Sequence, residues 1–171
     1  NPKCDRLIVA PGNAGIAGLA EVADIDILAG GTVVEFCGEN AIDFIIIGPE
    51  APLAAGVADA CRAAGILTFG PSAAAARLEA SKAFTKEICD ASAAPTAAYA
   101  RFTNAAEARA YVTAQGAPLV IKADGLAAGK GVIMGMTLDE ALAGLDEIFG
   151  GAFGDAGAEV VIEEFMEGEE A

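Results

Sequence analysis

Histidine and tryptophan are absent from these 171 residues, tyrosine occurs only twice, and Lys plus Arg number 10 against 25 Asp plus Glu. Without histidine neither a Ser-His nor a Cys-His nucleophilic pair can be assembled. Any chemistry must then rest on lysines, carboxylates, backbone amides and a metal. The four cysteines, Cys4, Cys37, Cys61 and Cys89, are scattered with no C-x-x-C spacing. They read as small apolar residues in a reducing, cytoplasmic protein. No apolar run approaches the roughly 18 residues that a membrane-spanning helix needs. A net charge of −15 with no basic block argues against nucleic acid or an anionic membrane as partner.

What is present is an apolar content of 54%, ample for a buried core in one large domain or two small ones. Lysine is sparse and clustered: apart from Lys3 it occurs only as Lys82/Lys86 and Lys122/Lys130. Positive charge is thus concentrated where an anionic ligand would need it. The second pair lies in PLVIKADGLAAGKGVIMG, from Pro118 to Gly135. Leu119-Val120-Ile121, bounded by proline and glycines, reads as a short buried strand with Lys122 at its end. The loop Gly125 to Gly131 has little side-chain bulk, so its backbone N–H groups can approach an anion closely while Lys130 supplies charge. Three residues, not four, separate Gly125 from Gly129-Lys130, and Gly131 follows where a P-loop has Ser or Thr. The segment is also not G-x-G-x-x-G, and it leads into an apolar strand instead of a helix. On spacing alone a plain hairpin and a nucleotide-binding loop stand level.

In chain order, Arg6 to Ala10 reads as a strand closed by Pro11-Gly12-Asn13-Ala14-Gly15, either a simple turn or a ligand-binding loop at a strand end. A short apolar run, Ile25 to Leu28, precedes a helical pattern from Thr32 to Asn40. Asp43 to Gly48 is a continuous apolar run, the pattern of a parallel strand covered on both faces. Gly48-Pro49-Glu50 ends it and opens a helix over Leu53 to Ala64. Glu50 complements that helix dipole or accepts hydrogen bonds from a polyol such as ribose. Gly65 to Gly70 is a third strand. Three strands alternating with helices predict a doubly wound parallel layer with right-handed crossovers.

After Pro71 the pattern predicts an Ala-rich helix, then a second helix to Asp90 with Lys82 and Lys86 four apart on one face, a spacing usual for solvated lysines. Ala93-Ala94-Pro95-Thr96 breaks it and marks the main boundary by composition. Beyond lie a strand near Tyr99 to Arg101, a helix from Ala105 to Gln115, the lysine strand and its loop, and a helix from Leu138 to Phe149 capped by Thr137. Gly150 to Gly154 is a link, and Ala158 to Phe165 a final strand. The acids that follow, Glu167 and Glu169, read as solvated. Glu163, Glu164, Met166 and Glu170 have the spacing of an adenosine site at a strand end.

Together VAPGNAG, IIIGPEAPL, FGPS, LEASKAFTK, PLVIKADGLAAGKGV, GGAFGDAG and VIEEFMEGEE resemble the glycinamide ribonucleotide synthetase family of ATP-grasp ligases, in the family's order and over essentially the whole chain. The resemblance implies an α/β fold: a truncated Rossmann-like, parallel-sheet N-terminal domain (1-80, phosphoribosylamine-binding, its first strand and helix missing), then the first part of an ATP-grasp α+β module (81-171, lid about 95-165). It further implies that Lys82 and Lys122 contact ATP phosphates, with Ala128, Gly129, Lys130 and Gly131 closing over them. Lys122 and Lys130 take the catalytic roles. Glu163, Glu164, Phe165 and Met166 hold adenine, and Glu170 the ribose. Asn13, Gly48, Pro49 and Glu50 face phosphoribosylamine.

The implied reaction joins glycine to phosphoribosylamine at the expense of ATP, through a glycyl phosphate, as a step of purine synthesis. It is carried by positioning and by neutralisation from lysines and Mg²⁺ or Mn²⁺, so the lack of histidine is no obstacle. The metal and glycine ligands are expected beyond Ala171, none within the chain, and the chain alone is expected to be inactive and monomeric. Two other readings stay open. One is a different ATP-grasp carboxylate–amine ligase, against which GPEAPL argues. The other is a nucleotide-binding module without catalysis.

Overall fold

The computed structural model describes residues 4–127 and 130–169, the side chain of Asp155 excepted. It divides into two compact units, Asn1–Ala76 and Arg77–Ala171. Among the described residues no helix is long and apolar enough to cross a membrane.

The first unit alternates short strands and helices: β1 (Ile8–Val9), β2 (Glu21–Val22), α1 (Gly30–Glu39), β3 (Phe44–Ile46), α2 (Glu50–Ala54), α3 (Val57–Ala63) and β4 (Leu67–Phe69). Parallel pairing is as expected, but it forms two separate pairs, β1 with β2 and β3 with β4, and not one layer. Only two residues long, β2 carries no periodic signal. Backbone bonds from Glu21 N to Leu7 O and from Ala23 N to Val9 O, both 3.0 Å, hold it in place. Arg6 also grips Glu21 through both carboxylate oxygens, at 2.8 and 2.7 Å.

The core of this unit is Val33, Cys37, Ile47, Leu53, Val57, Ala58, Cys61 and Ala76. Burial pushes the thiols of Cys37 and Cys61 up from their ordinary value, so both stay protonated and apolar in character. The expectation that the Asp43–Gly48 strand is covered on both faces is corrected. Ile45 turns to the core, whereas Phe44, Ile46, Leu67 and Phe69 are 48%, 66%, 67% and 66% exposed on the other face. A continuous apolar run cannot distinguish these cases, because the same residues suit a face covered by another element. The single helix predicted over Leu53 to Ala64 is two, split at Gly56, whose φ of 82° is left-handed and open to glycine at little cost.

The second unit follows α4 (Ala73–Ala80), which carries the chain into it. Its elements are α5 (Lys82–Ser92), β5 (Tyr99–Phe102), α6 (Ala105–Gln115), β6 (Leu119–Ala123), β7 (Val132–Gly135), α7 (Leu138–Glu147) and β8 (Val160–Glu164). The four strands form one antiparallel sheet in the order β5-β8-β6-β7. Strand alternation sorts the side chains. Leu119, Ile121, Ala123, Val160 and Ile162 point to one face, where they pack with Ala108 and Val112 of α6 and with Ala141, Leu145 and Ile148 of α7 and the turn after it.

The helix starts are set by side chains that satisfy free backbone N–H groups. Ser81 Oγ accepts from Phe84 N, and Asn104 Oδ1 from Ala106 N and Glu107 N. Thr137 and Glu140 form a reciprocal capping box at α7. The α7 helix itself stops at Glu147, two residues before the predicted end. A wide turn, Ile148–Ala152, follows, in which Gly151 takes φ 89°.

Candidate functional site

The face of the second sheet opposite α6 and α7 carries the candidate chemistry. Antiparallel register places Val120 opposite Glu163 and Met134, and Lys122 opposite Val161 and Val132. Directly opposed residues share a face. Val120, Lys122, Val132, Met134, Val161 and Glu163 therefore lie together. Val132 and Met134 are 45% and 55% exposed while Val161 and Glu163 are buried, so the β7 side of this face is open and apolar, next to Lys122.

Lys122 Nζ donates to Glu163 Oε2 at 2.7 Å. Lys86 of α5 approaches the other oxygen, Oε1, at 3.2 Å. Glu163 and Lys86 are both buried, at 7% and 5% exposure, so the solvated face expected for Lys86 from its spacing is corrected. Lys82, one turn earlier, is half-buried, and its Nζ donates to the carbonyls of Asp124 and Gly125 at 3.3 Å each. Burial lowers its ammonium from the ordinary lysine value. Asp124 opposes that shift and the charge of Lys122 adds to it.

The turn after β6 is tied to the start of α5. Asp124 Oδ1 accepts from Ala83 N at 2.6 Å, and both its oxygens accept from Ser81 Oγ at 3.2 and 3.0 Å. One carboxylate thus fixes the helix bearing Lys82 and Lys86 against the strand bearing Lys122.

The loop between β6 and β7 closes an antiparallel hairpin. Gly131 O accepts from Ala123 N at 2.8 Å, Lys130 N donates to Ala127 O at 2.9 Å, and the Lys130 side chain is exposed. A Cβ on Gly131 would stand 2.7 Å from Ala127 Cβ, which is why the loop can fold this tightly only with glycine there. Ala128, Gly129 and Glu170 lie outside the described residues.

At the end of β8, Glu164 and Ala98 exchange bonds: Glu164 N donates to Ala98 O, and Glu164 Oε1 accepts from Ala98 N, both at 2.9 Å. The N–H of Glu164 is therefore occupied. Phe165 is half-buried and Met166 is 65% exposed.

In the first unit, Asn13 follows β1 and its Oδ1 accepts from Gly15 N and Ile16 N at 3.0 Å. Gly48, Pro49 and Glu50 follow β3, all exposed, with Glu50 opening α2. Both groups lie at strand C-terminal ends, where open α/β sheets place ligands. Among the described residues no hydrogen bond joins Asn13 to them.

Two family models match the chain in succession. Residues 1–79 match the model described as phosphoribosylglycinamide synthetase, N domain, and residues 80–171 match phosphoribosylglycinamide synthetase, ATP-grasp (A) domain. The chain belongs to the phosphoribosylglycinamide synthetase family. Among curated proteins of that family, the phosphoribosylamine–glycine ligases of Rhizobium meliloti (strain 1021) and Agrobacterium fabrum are 58% and 60% identical over 171 residues. The alignment covers 100% of this chain and 40% of each relative, so the chain spans about two fifths of their length. The crystal structure of phosphoribosylamine–glycine ligase from Thermotoga maritima superposes with a TM-score of 0.74 at 27% identity, over 96% of this chain and 39% of that one.

Membership of the phosphoribosylglycinamide synthetase family leaves the residue roles to be argued from geometry. Sequence reasoning singled out Lys122 but not the three neighbours on its sheet face or the carboxylate at the edge. Val120, Val132 and Met134 were visible as the alternate positions of the strands around Lys122. Asp124 gave no signal, because its partners Ser81 and Ala83 are about 40 residues away in the chain.

Proposed function

We propose that the second unit binds ATP and that the complete gene product joins glycine to phosphoribosylamine, giving glycinamide ribonucleotide, ADP and phosphate. The observation that carries this reading is the convergence of Lys82 and Lys122, from a helix and a strand fixed to one another by Asp124, beside a glycine-rich hairpin. Both ammonium groups retain donors for a polyphosphate. Lys130, Gly131 and, by family likeness, Ala128 and Gly129 would cover it. Val120, Val132 and Met134 offer an apolar floor to the adenine ring, beside Glu163, Glu164, Phe165 and Met166, with Glu170 toward the ribose. Because the Glu164 N–H is engaged by Ala98, a main-chain donor to the base would come from beyond it, at Phe165 or Met166. In the first unit Asn13, Gly48, Pro49 and Glu50 would meet phosphoribosylamine.

In this reading a glycine carboxylate oxygen attacks the γ-phosphorus, and the bond from that phosphorus to the ADP oxygen breaks. The ribosylamine nitrogen then attacks the carbonyl carbon of glycyl phosphate and phosphate leaves. Lys82, Lys122 and Lys130 neutralise charge on the transferring phosphoryl group and hold it in line. Mg²⁺ or Mn²⁺ would supply further neutralisation. Among the described residues no three of His, Cys, Asp or Glu are placed to hold a metal, and Asp124 and Glu163 are already bonded. The reaction belongs in the cytoplasm, with small molecules as the partners.

The test is phosphate release by the complete gene product given Mg-ATP, phosphoribosylamine and glycine, with each omitted in turn. Release that requires all three is expected. Release indifferent to glycine would transfer the chain to another ATP-grasp ligation.

A further inference from the structure

Lys86 has no place in the reading above, yet it is the most enclosed cation described. Its side chain keeps 7% of its surface, and an ammonium buried to that degree is costly unless every donor is matched. Its ammonium donates to Thr96 Oγ1 at 2.7 Å and Ala97 O at 3.0 Å, and Glu163 Oε1 stands 3.2 Å away as its ion-pair partner. The ring of Tyr99 lies 5.2 Å from Nζ, within cation–π range. Enclosed by these groups, Lys86 presents almost no surface to a ligand.

Lys122 is the opposite case. Its side chain is 26% exposed, and Glu163 Oε2 is its one hydrogen-bond partner among the described residues. Two of its donors have no hydrogen-bond partner among the described residues. A lone Lys122–Glu163 pair would be neutral, and an incoming phosphate would have to compete with a buried carboxylate for its lysine. The second ammonium on Oε1 changes that balance. Glu163 is shared, and the group of three carries one net positive charge.

We propose that Lys86 is a positioning residue for polyphosphate binding: by holding Glu163 through Oε1 it aims Lys122 through Oε2 and leaves the charge of Lys122 available to the ligand. This rests on the nucleotide reading of the site. The role is indirect, so it predicts coupling through Glu163 and not a contact with the ligand.

The experiment is a double-mutant cycle of Lys86→Met and Glu163→Gln in the complete gene product, with Mg-ADP binding followed by calorimetry. Lys86→Met should weaken Mg-ADP about tenfold, whereas in the Glu163→Gln background it should change affinity less than about threefold. In turnover the KM for ATP should rise with kcat less affected. If Lys86→Met loses its cooperative melt, Lys86→Gln replaces it, since its amide still donates to Thr96 and Ala97 without the charge. Wild-type binding with an undiminished Lys86 effect in the Glu163→Gln background, or with no Lys86 effect at all, overturns the positioning role alone. Failure of wild type to bind Mg-ADP overturns the nucleotide reading and the role with it.

Discussion

Asp124, in the turn that ends β6, accepts the backbone N–H of Ala83, in the first turn of α5, at 2.6 Å. The pair spans 41 positions of sequence and does for the helix start what a local cap does elsewhere. The same carboxylate takes the hydroxyl of Ser81, which in turn accepts from Phe84 N. Charged acceptors are favoured at a helix N-terminus both by hydrogen bonding and by the dipole.

Asp124→Ala should lower stability by about 2 kcal/mol, the sum expected for a lost charged cap and an orphaned N–H. It should also weaken nucleotide binding, because the carbonyls that seat Lys82 belong to Asp124 and Gly125. Asp124→Asn keeps an acceptor and should lose less than half as much in a urea melt. Equal losses for the two variants would show that the carboxylate's acceptor geometry is not what holds the helix.

Gly135 pairs with Leu119 at the edge of the sheet, under α7. A Cβ there would stand 2.6 Å from Ala141 Cβ and 2.7 Å from Ala141 Cα, with backbone on the far side. Neither partner can yield without moving the helix. Gly135→Ala should therefore cost about 1–3 kcal/mol through overpacking. Gly38 in α1 has nothing within 4 Å of its would-be Cβ, so Gly38→Ala should stabilise by about 0.5–1 kcal/mol through helix propensity alone. The thermal midpoints of the two variants should move in opposite directions. A harmless Gly135→Ala would mean that α7 sits farther from the sheet than this packing requires.

Local signals in the sequence carried far in the second unit. The apolar run ending at Lys122, the Thr137 cap and the helical stretch from Ala105 each depend on neighbours within one element, so their physics is contained in a short window. The same window fails where the decisive partner is remote. Lys82 and Lys86 share a helix face by spacing, but only the arrival of Glu163 from β8 and of Thr96 and Ala97 decides that Lys86 is buried. The Phe44–Ile46 run shows the reverse error: apolar residues signal a strand, and nothing within the run tells how many of its faces are covered. A two-residue strand such as Glu21–Val22 has no period to detect.

Lys82 should make ligand binding depend on protons. Its ammonium is held below the ordinary lysine value, first by burial. The unfolded chain therefore binds more protons than the folded one between the folded value and about 10.4, the unperturbed lysine value. Stability should rise with pH across that window, because the desolvation cost is full below it and vanishes above it. A polyphosphate reverses the balance by favouring the charged form, so binding within the window should draw a proton onto Lys82, and affinity should fall as pH climbs through the folded value. Calorimetry of Mg-ADP binding over about pH 8 to 10, in two buffers of different ionisation enthalpy, reads this uptake directly. Uptake should be present in wild type and absent in Lys82→Met. Uptake that persists in Lys82→Met would place the responding group elsewhere, and none in either protein would mean that no phosphate reaches Lys82.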